Sequence, residues 1–142
     1  MRKGGIFVDS DVVISSLIST KGAAHLLLNE QKSNFVISNV SHKELEKVAV
    51  RLGINMDDLQ ALVTKKLKIT KLTTDLEKIK SDFQEYTTDP NDTHIVAGAK
   101  KAETNFLLTY NVRHFNRQKI REDLNIVVLT PAQYLQYVRS KE

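Results

Sequence analysis

The chain has 142 residues and not one of them is cysteine. Disulfides and thiolate metal sites are therefore excluded. Long apolar runs are missing too: none approaches the roughly 20 residues that a membrane-spanning helix needs. Met1-Arg2-Lys3-Gly4-Gly5 lacks the extended apolar region of a secretory signal. No Gly/Ser/Pro linker, low-complexity tract or internal repeat divides the sequence. These absences leave one domain over residues 1–142 and point to the cytoplasm, with no membrane partner. What is present fits that picture. Apolar residues make up 41% and charged residues 27%, a globular composition able to bury one sizeable core. The net charge of +4 is compatible with an anionic polymer as partner, although many basic proteins never touch one.

Strands alternate with helices along the chain. Ile6–Val8 and Phe35–Ile37 read as short buried strands, as do Phe106–Thr109 and Ile126–Leu129. Residues 68–72 alternate polar and apolar side chains, the pattern of an edge strand. Helices are predicted over 11–19, 22–30, 41–52, 56–66, 76–86 and 131–139, with one more carrying Ile95, Val96, Ala99 and Ala102. Ser41 and Glu44 have the spacing of a capping box, and Gly53 stands where that helix should stop. The expected architecture is a three-layer α/β/α sandwich around a parallel sheet of about four to five strands.

In such sheets, ligands collect beyond the carboxyl ends of the strands, near the point where strand order reverses. Three predicted ends carry polar residues: Asp9, then Ser38 with Asn39, then Asn111. Glu44 and Asp92 fall in first turns of helices that could begin on the same side. Two carboxylates ~5 Å apart at an effective dielectric near ~20 repel by roughly 3 kcal/mol. A converging set must therefore shift its pKa values or hold a cation. With oxygen donors only, Mg²⁺ or Mn²⁺ is the natural ion. Each acid also has a simpler reading. Asp9 could cap the following helix, and Asp11 suits the positive end of that helix. Glu44 is accounted for by its capping box. Asp89 is the better N-cap before Pro90, with Asp92 completing that cap, and Asn111 could be an ordinary turn residue. The ordered set carries more weight than any single position.

That set resembles the PIN-domain ribonucleases, above all the small toxins of VapBC-like toxin–antitoxin pairs. "FVDSDVVISSL" is similar to the family's opening motif and "ISNVSHKELEKV" to its second. "DPNDTHIVAGAKKAETNFLLTYNVRHF" resembles the third and fourth motifs joined by a helix and a strand. The resemblance runs from Ile6 to the "IVVLTPAQYL" near the end. It implies a metal-dependent endoribonuclease in which Asp9, Glu44 and Asp92 hold Mg²⁺ or Mn²⁺. Asn111 stands where many members carry a fourth Asp, which removes one negative charge and implies weaker binding of a second metal. Ser10, Asp11, Ser38 and Asp89 take supporting roles. The resemblance also implies a cognate antitoxin that covers the site, and a homodimer.

Arg113, Arg117 and Lys119 follow Asn111 closely, with His114 and Arg121 among them. They are candidates for sequence-independent contacts to RNA phosphates, against the alternative of a solvated charged surface. His94 and His114 read as hydrogen-bonded structural residues. Two other functions fit parts of the sequence. Asp9-Ser10-Asp11 after an apolar strand resembles the opening of haloacid dehalogenase-like phosphatases, with Asp9 as nucleophile, Asp11 as general acid and Ser38 as phosphate-binding hydroxyl. A PIN-like domain with an altered metal site could instead serve only to bind RNA or protein.

Overall fold

The computed structural model describes residues 4–141. Strand β1 (Gly5–Val8) is followed by α1 (Ser10–Ile18) and α2 (Ala23–Glu30). Then come β2 (Asn34–Ser38), α3 (Asn39–Leu52), α4 (Met56–Lys66) and β3 (Leu67–Thr70). The second half runs α5 (Leu76–Phe83), α6 (Thr93–Lys101), β4 (Thr104–Leu108), α7 (Arg117–Leu124), β5 (Val127–Leu129) and α8 (Pro131–Ser140). Short 3₁₀ turns at Gln84–Tyr86, Pro90–Asp92 and Val112–His114 fill the joints. The five strands form one parallel sheet in the order β3-β2-β1-β4-β5. The chain thus builds outward from β1 to β3, then crosses back to lay β4 on the other side of β1. Strand order reverses between β1 and β4.

Both faces of the sheet are covered, and the alternation of side chains along each strand explains how. Ile6, Val8, Phe35, Ile37 and Leu108 pack with buried residues of α1, α2, α3, α4 and α8. Phe7, Val36 and Leu107 point the other way, against Ile95, Val96 and Ala99 of α6 and Ile120 of α7. Phe7 is fully buried and worth roughly 1.5–3 kcal/mol in transfer from water. The expected three-layer sandwich is what forms; the edge strand expected at 68–72 is β3 at Leu67–Thr70, and β5 is the other edge. Among the described residues, no single helix is long and apolar enough to cross a membrane.

One glycine sets the spacing between α6 and the sheet. A Cβ on Gly98 would lie 2.7 Å from Phe7 Cζ and 2.8 Å from its Cε2. Only a residue without a side chain lets the helix approach this closely. Gly98→Val should therefore cost about 1–3 kcal/mol through overpacking, measured as a drop in the urea midpoint at unchanged slope. An unchanged midpoint would mean that Phe7 moves aside freely.

Local chemistry shifts one predicted boundary. The capping box assigned to Ser41 and Glu44 does not form. Helix α3 begins at Asn39, because Ser38, the last residue of β2, accepts a hydrogen bond from the Ser41 backbone N–H at 3.0 Å. Glu44 consequently lies in the second turn rather than the first, and its carboxylate is free of any capping duty. Gly53 does end α3, in the left-handed conformation at φ 72°. Residues 117–124, expected only as part of a charged surface, form the separate helix α7.

Candidate active site

β1 and β4 pair in parallel with Val8 opposite Leu108. The next residue on each strand, Asp9 and Thr109, therefore emerges beside the other at the carboxyl edge of the sheet. The Asp9 backbone N–H donates to Leu108 O at 2.9 Å, and Thr109 N–H to Leu129 O at 3.0 Å. The Thr109 hydroxyl donates to Asp9 Oδ2 at 2.9 Å. Asp9 occupies the N-cap position of α1 in extended conformation, yet its side chain makes no capping hydrogen bond. The simple cap reading fails on that observation. The carboxylate serves the cluster at the strand ends instead.

Asp11 follows one residue into α1. Its Oδ2 accepts from the Tyr110 backbone N–H at 3.0 Å and from Asn111 Nδ2 at 3.3 Å, with Thr109 Oγ1 at 3.4 Å. The Asn111 N–H in turn donates to Thr109 Oγ1 at 3.0 Å. Asp11 thus fastens the loop after β4 against the start of α1. Its other oxygen, Oδ1, is buried with no hydrogen-bond partner.

Asp92 comes from the far side of the cluster, at the junction of the Pro90–Asp92 turn and α6. Asp89 caps that turn by accepting from the Asn91 N–H at 2.9 Å, the role the sequence suggested for it. Asp92 Oδ2 sits 3.2 Å from His114 Nδ1. Glu44 is half exposed, and its Oε1 lies 2.6 Å from Nε2 of the buried His94. Both histidines are hydrogen-bonded, as the sequence suggested, and in each case the partner is an acid.

The acids feel one another. Burial, then the Asp11 charge, pushes the Asp9 carboxyl up to about 7; Asp92 adds to the rise and the Thr109 hydrogen bond opposes it. Asp11 is raised by burial, against the Tyr110 N–H and Thr109 bonds that favour its charge, and Asp92 again adds to the rise. Burial also raises Asp92, against the stabilising bond to His114. This is how carboxylates behave when brought together without a counterion.

These residues fit a hard divalent cation. The donors are all oxygens, and the orphaned Asp11 Oδ1 is a buried acceptor with nothing to accept from. Among the described residues, no three Asp, Glu or His side chains are grouped to enclose an ion by themselves. Mg²⁺ does not require that, since it commonly takes one or two carboxylates and fills its octahedron with waters and phosphate oxygens.

The predicted site residues therefore fall into distinct surroundings. Asp9, Asp11 and Asp92 feel one another at the β1–β4 edge, with Asn111 bonded to Asp11, whereas Glu44, expected as a third ligand beside Asp9 and Asp92, is instead paired with His94. Ser10 Oγ lies 3.4 Å from Asp9 Oδ1. Ser38 is wholly buried and caps α3. Arg113 is exposed in the 3₁₀ turn directly after Asn111. Lys119 is engaged by Asp123 at 3.2 Å and Glu85 at 3.6 Å, and Arg117 lines a separate hollow with Arg121.

Sequence reasoning overlooked Thr109, although the signal was present: it is the first polar residue after β4, as Asp9 is after β1. Thr109→Val removes a donor to Asp9 and strands the Asn111 N–H. It should destabilise the metal-free protein by about 1–3 kcal/mol in urea unfolding near neutral pH. Unchanged stability would mean that the hydroxyl holds neither group.

Comparison with known proteins bears on the fold and the family. A PIN-domain family model matches residues 5–113. No curated protein matches the sequence. Solved structures do match in fold. A chain of a toxin–antitoxin complex from Klebsiella pneumoniae superposes with a TM-score of 0.64 at 20% identity, covering 89% of this chain and 97% of that one. A chain of VapBC2 from Rickettsia felis, bound to a DNA fragment from its promoter, gives 0.59 at 13% identity over 87% and 96%. VapC20 of Mycobacterium tuberculosis, a toxin that cleaves the sarcin–ricin loop, gives 0.53 at 18% identity over 72% and 86%. The family model spans the first four strands and every acid of the cluster, so the chain belongs to the PIN-domain family.

Proposed function

We propose that the protein is a Mg²⁺- or Mn²⁺-dependent endoribonuclease, the toxin of a VapBC-like toxin–antitoxin pair. The observation that carries this reading is the buried Asp9 at the β1–β4 switch point, its pKa raised by burial, Asp11 and Asp92 within a PIN-domain fold. Asp9 and Asp92 would hold the ion, with Asp11 beside them, while Glu44 stays paired with His94. When bound, such an ion supplies neutralisation of phosphate charge and a lowered pKa for an attacking water.

The chain's own residues have separate tasks. Thr109 orients Asp9 through its hydroxyl, and His114 orients Asp92. Asp11 keeps the Thr109–Asn111 loop closed, and the exposed Arg113 follows two residues later. Its guanidinium is suited to a bidentate contact with a phosphate of the strand. Asn111 contributes a donor to Asp11 in place of a fourth negative charge.

The phosphatase alternative loses its support at Ser38. That hydroxyl is buried and occupied by Ser41, not open to a phosphate. Membership of the toxin–antitoxin class is supported by the likeness of the fold to chains of VapBC complexes. The proposed partners are accordingly an RNA substrate, a cognate antitoxin and a second copy of the chain. The test is cleavage of RNA by the purified protein with Mg²⁺ or Mn²⁺, run beside an Asp9 variant.

A further inference from the structure

Next to the acid cluster lies a cleft of about 440 Å³ that shares Glu44 and His94 with the site described so far. Its volume is within the range of roughly 300–1,000 Å³ typical of ligand sites. One wall is α3, with Lys43 and Lys47; the other is α5, with Leu76 and Lys80. Asn91 and Thr93 line it from either side of Asp92, and His94 and Glu44 complete it at the acid end. We infer that this cleft binds the phosphates of a single-stranded RNA and guides the strand to the acids.

Three features favour that ligand. Lys43 and Lys47 are exposed, and neither has an ion-pair partner among the described residues, whereas Lys78 and Lys119 are both paired with acids. Lys80 has only the exposed Glu77 at 3.4 Å, a contact of the kind that contributes little and is readily given up. The single carboxylate in the cleft, Glu44, is already engaged by His94. The result is a concave surface with surplus positive charge, which attracts an anion. Its layout argues for a polymer. Lys43 and Lys47 are one turn apart, about 6 Å along α3, and Lys80 faces them from the opposite wall. Two charges spaced along one wall, with a third across from them, suit successive phosphates of a strand lying in the cleft better than one isolated phosphate. Such contacts hold the backbone without reading bases.

The inference rests on the ribonuclease reading for the identity of the strand, but its test does not depend on cleavage. Binding of a fluorescent single-stranded RNA of mixed sequence is measured by anisotropy in EDTA, on an Asp9→Asn background. Lys43→Ala, Lys47→Ala and Lys80→Ala are combined in one variant. A charge-matched variant on another surface combines Lys65→Ala, Lys66→Ala and Lys68→Ala, all exposed positions. Circular dichroism confirms that both remain folded. The cleft variant should bind about 10-fold or more weakly near 0.1 M salt. Its slope of log K against log salt should fall by about 2, at about 0.7 for each phosphate no longer neutralised. The control variant should change much less on both measures. Equal effects in the two variants would overturn the cleft and leave only general attraction. Failure of the parent to bind RNA would overturn it as well, and the metal-dependent cleavage assay on the unaltered chain then reports separately on the nuclease reading. A nucleoside 5′-monophosphate that competes as tightly as the strand would overturn the polymer assignment in favour of a small-molecule site.

Discussion

Asp9→Asn is expected to lower metal-dependent RNA cleavage by about 1,000-fold or more, the equivalent of roughly 4 kcal/mol in activation free energy. The substitution is nearly isosteric, and an asparagine Oδ1 can still accept the Thr109 hydrogen bond that the carboxylate accepts now. What it removes is one full negative charge at the centre of the cluster. In the proposed mechanism that charge binds the cation, and the cation in turn offsets the charge of the phosphate. Asp11→Asn should be milder, because Asp11 spends one oxygen on the Tyr110 N–H and the Asn111 amide. A phosphatase using Asp11 as general acid would reverse that order. Comparing initial rates of the two variants on one labelled RNA, at saturating Mn²⁺, decides between the orders.

The second large effect is on stability, and its sign is opposite to the usual one for an acid. A carboxyl whose folded pKa is about 7 holds its proton more tightly in the folded chain than in the unfolded one, where 3.8 is the ordinary value. Below about pH 4 both states are protonated, and the site costs nothing. Between about pH 4 and 7 the unfolded chain releases this proton while the folded chain keeps it. Folded stability therefore declines across that interval, by on the order of 4 kcal/mol from Asp9 alone, and levels off above it. Asp11 and Asp92, both raised, act in the same direction. Urea unfolding of the metal-free protein and of Asp9→Asn across this range isolates the contribution. The variant should match the parent near pH 4 and be the more stable of the two above pH 7. A difference that stays flat with pH would show that Asp9 is not forced into this environment.

The cost has a functional meaning. A fold that buries mutually repelling carboxylates gives up stability that a more ordinary N-cap would have kept. In the proposed reading, a divalent ion would return that free energy on binding, so metal and fold should be thermodynamically linked.

Much of this is legible in the sequence alone. Ile6–Val8, Phe35–Ile37 and Ile126–Leu129 declared themselves because buried parallel strands are short unbroken apolar runs. The position of Asp9 followed from its being the first polar residue after such a run. Glu44 was harder. Ser41 and Glu44 have capping-box spacing, but Ser38 competes for the same backbone N–H and wins, because β2 delivers it directly to the helix start. Local spacing cannot reveal which of two serines the strand will present. Thr109 carries the same signal as Asp9, a first polar residue after an apolar strand, but that signal does not name its partner. Its significance lies in the pairing of β1 with β4, across 100 positions of sequence, and no periodicity encodes strand order. In the sequence Asp11 is an acid suited to the helix dipole, but its bonds to Tyr110 and Asn111 depend on that same long-range pairing. The cleft lysines escaped notice because Lys43, Lys47 and Lys80 form no run in the sequence. Only the packing of α5 across from α3 puts them around one hollow.

The most direct test of the nuclease reading is cleavage of a labelled single-stranded RNA by the purified protein in Mn²⁺ and in EDTA, with Asp9→Asn prepared and assayed in parallel. The expected result is internal cleavage in Mn²⁺ that stops in EDTA and is absent from the variant. Cleavage that persists in EDTA, or that Asp9→Asn carries out as fast as the parent, would contradict that reading. So would RNA that is bound but left intact in Mn²⁺, the behaviour of a binding module.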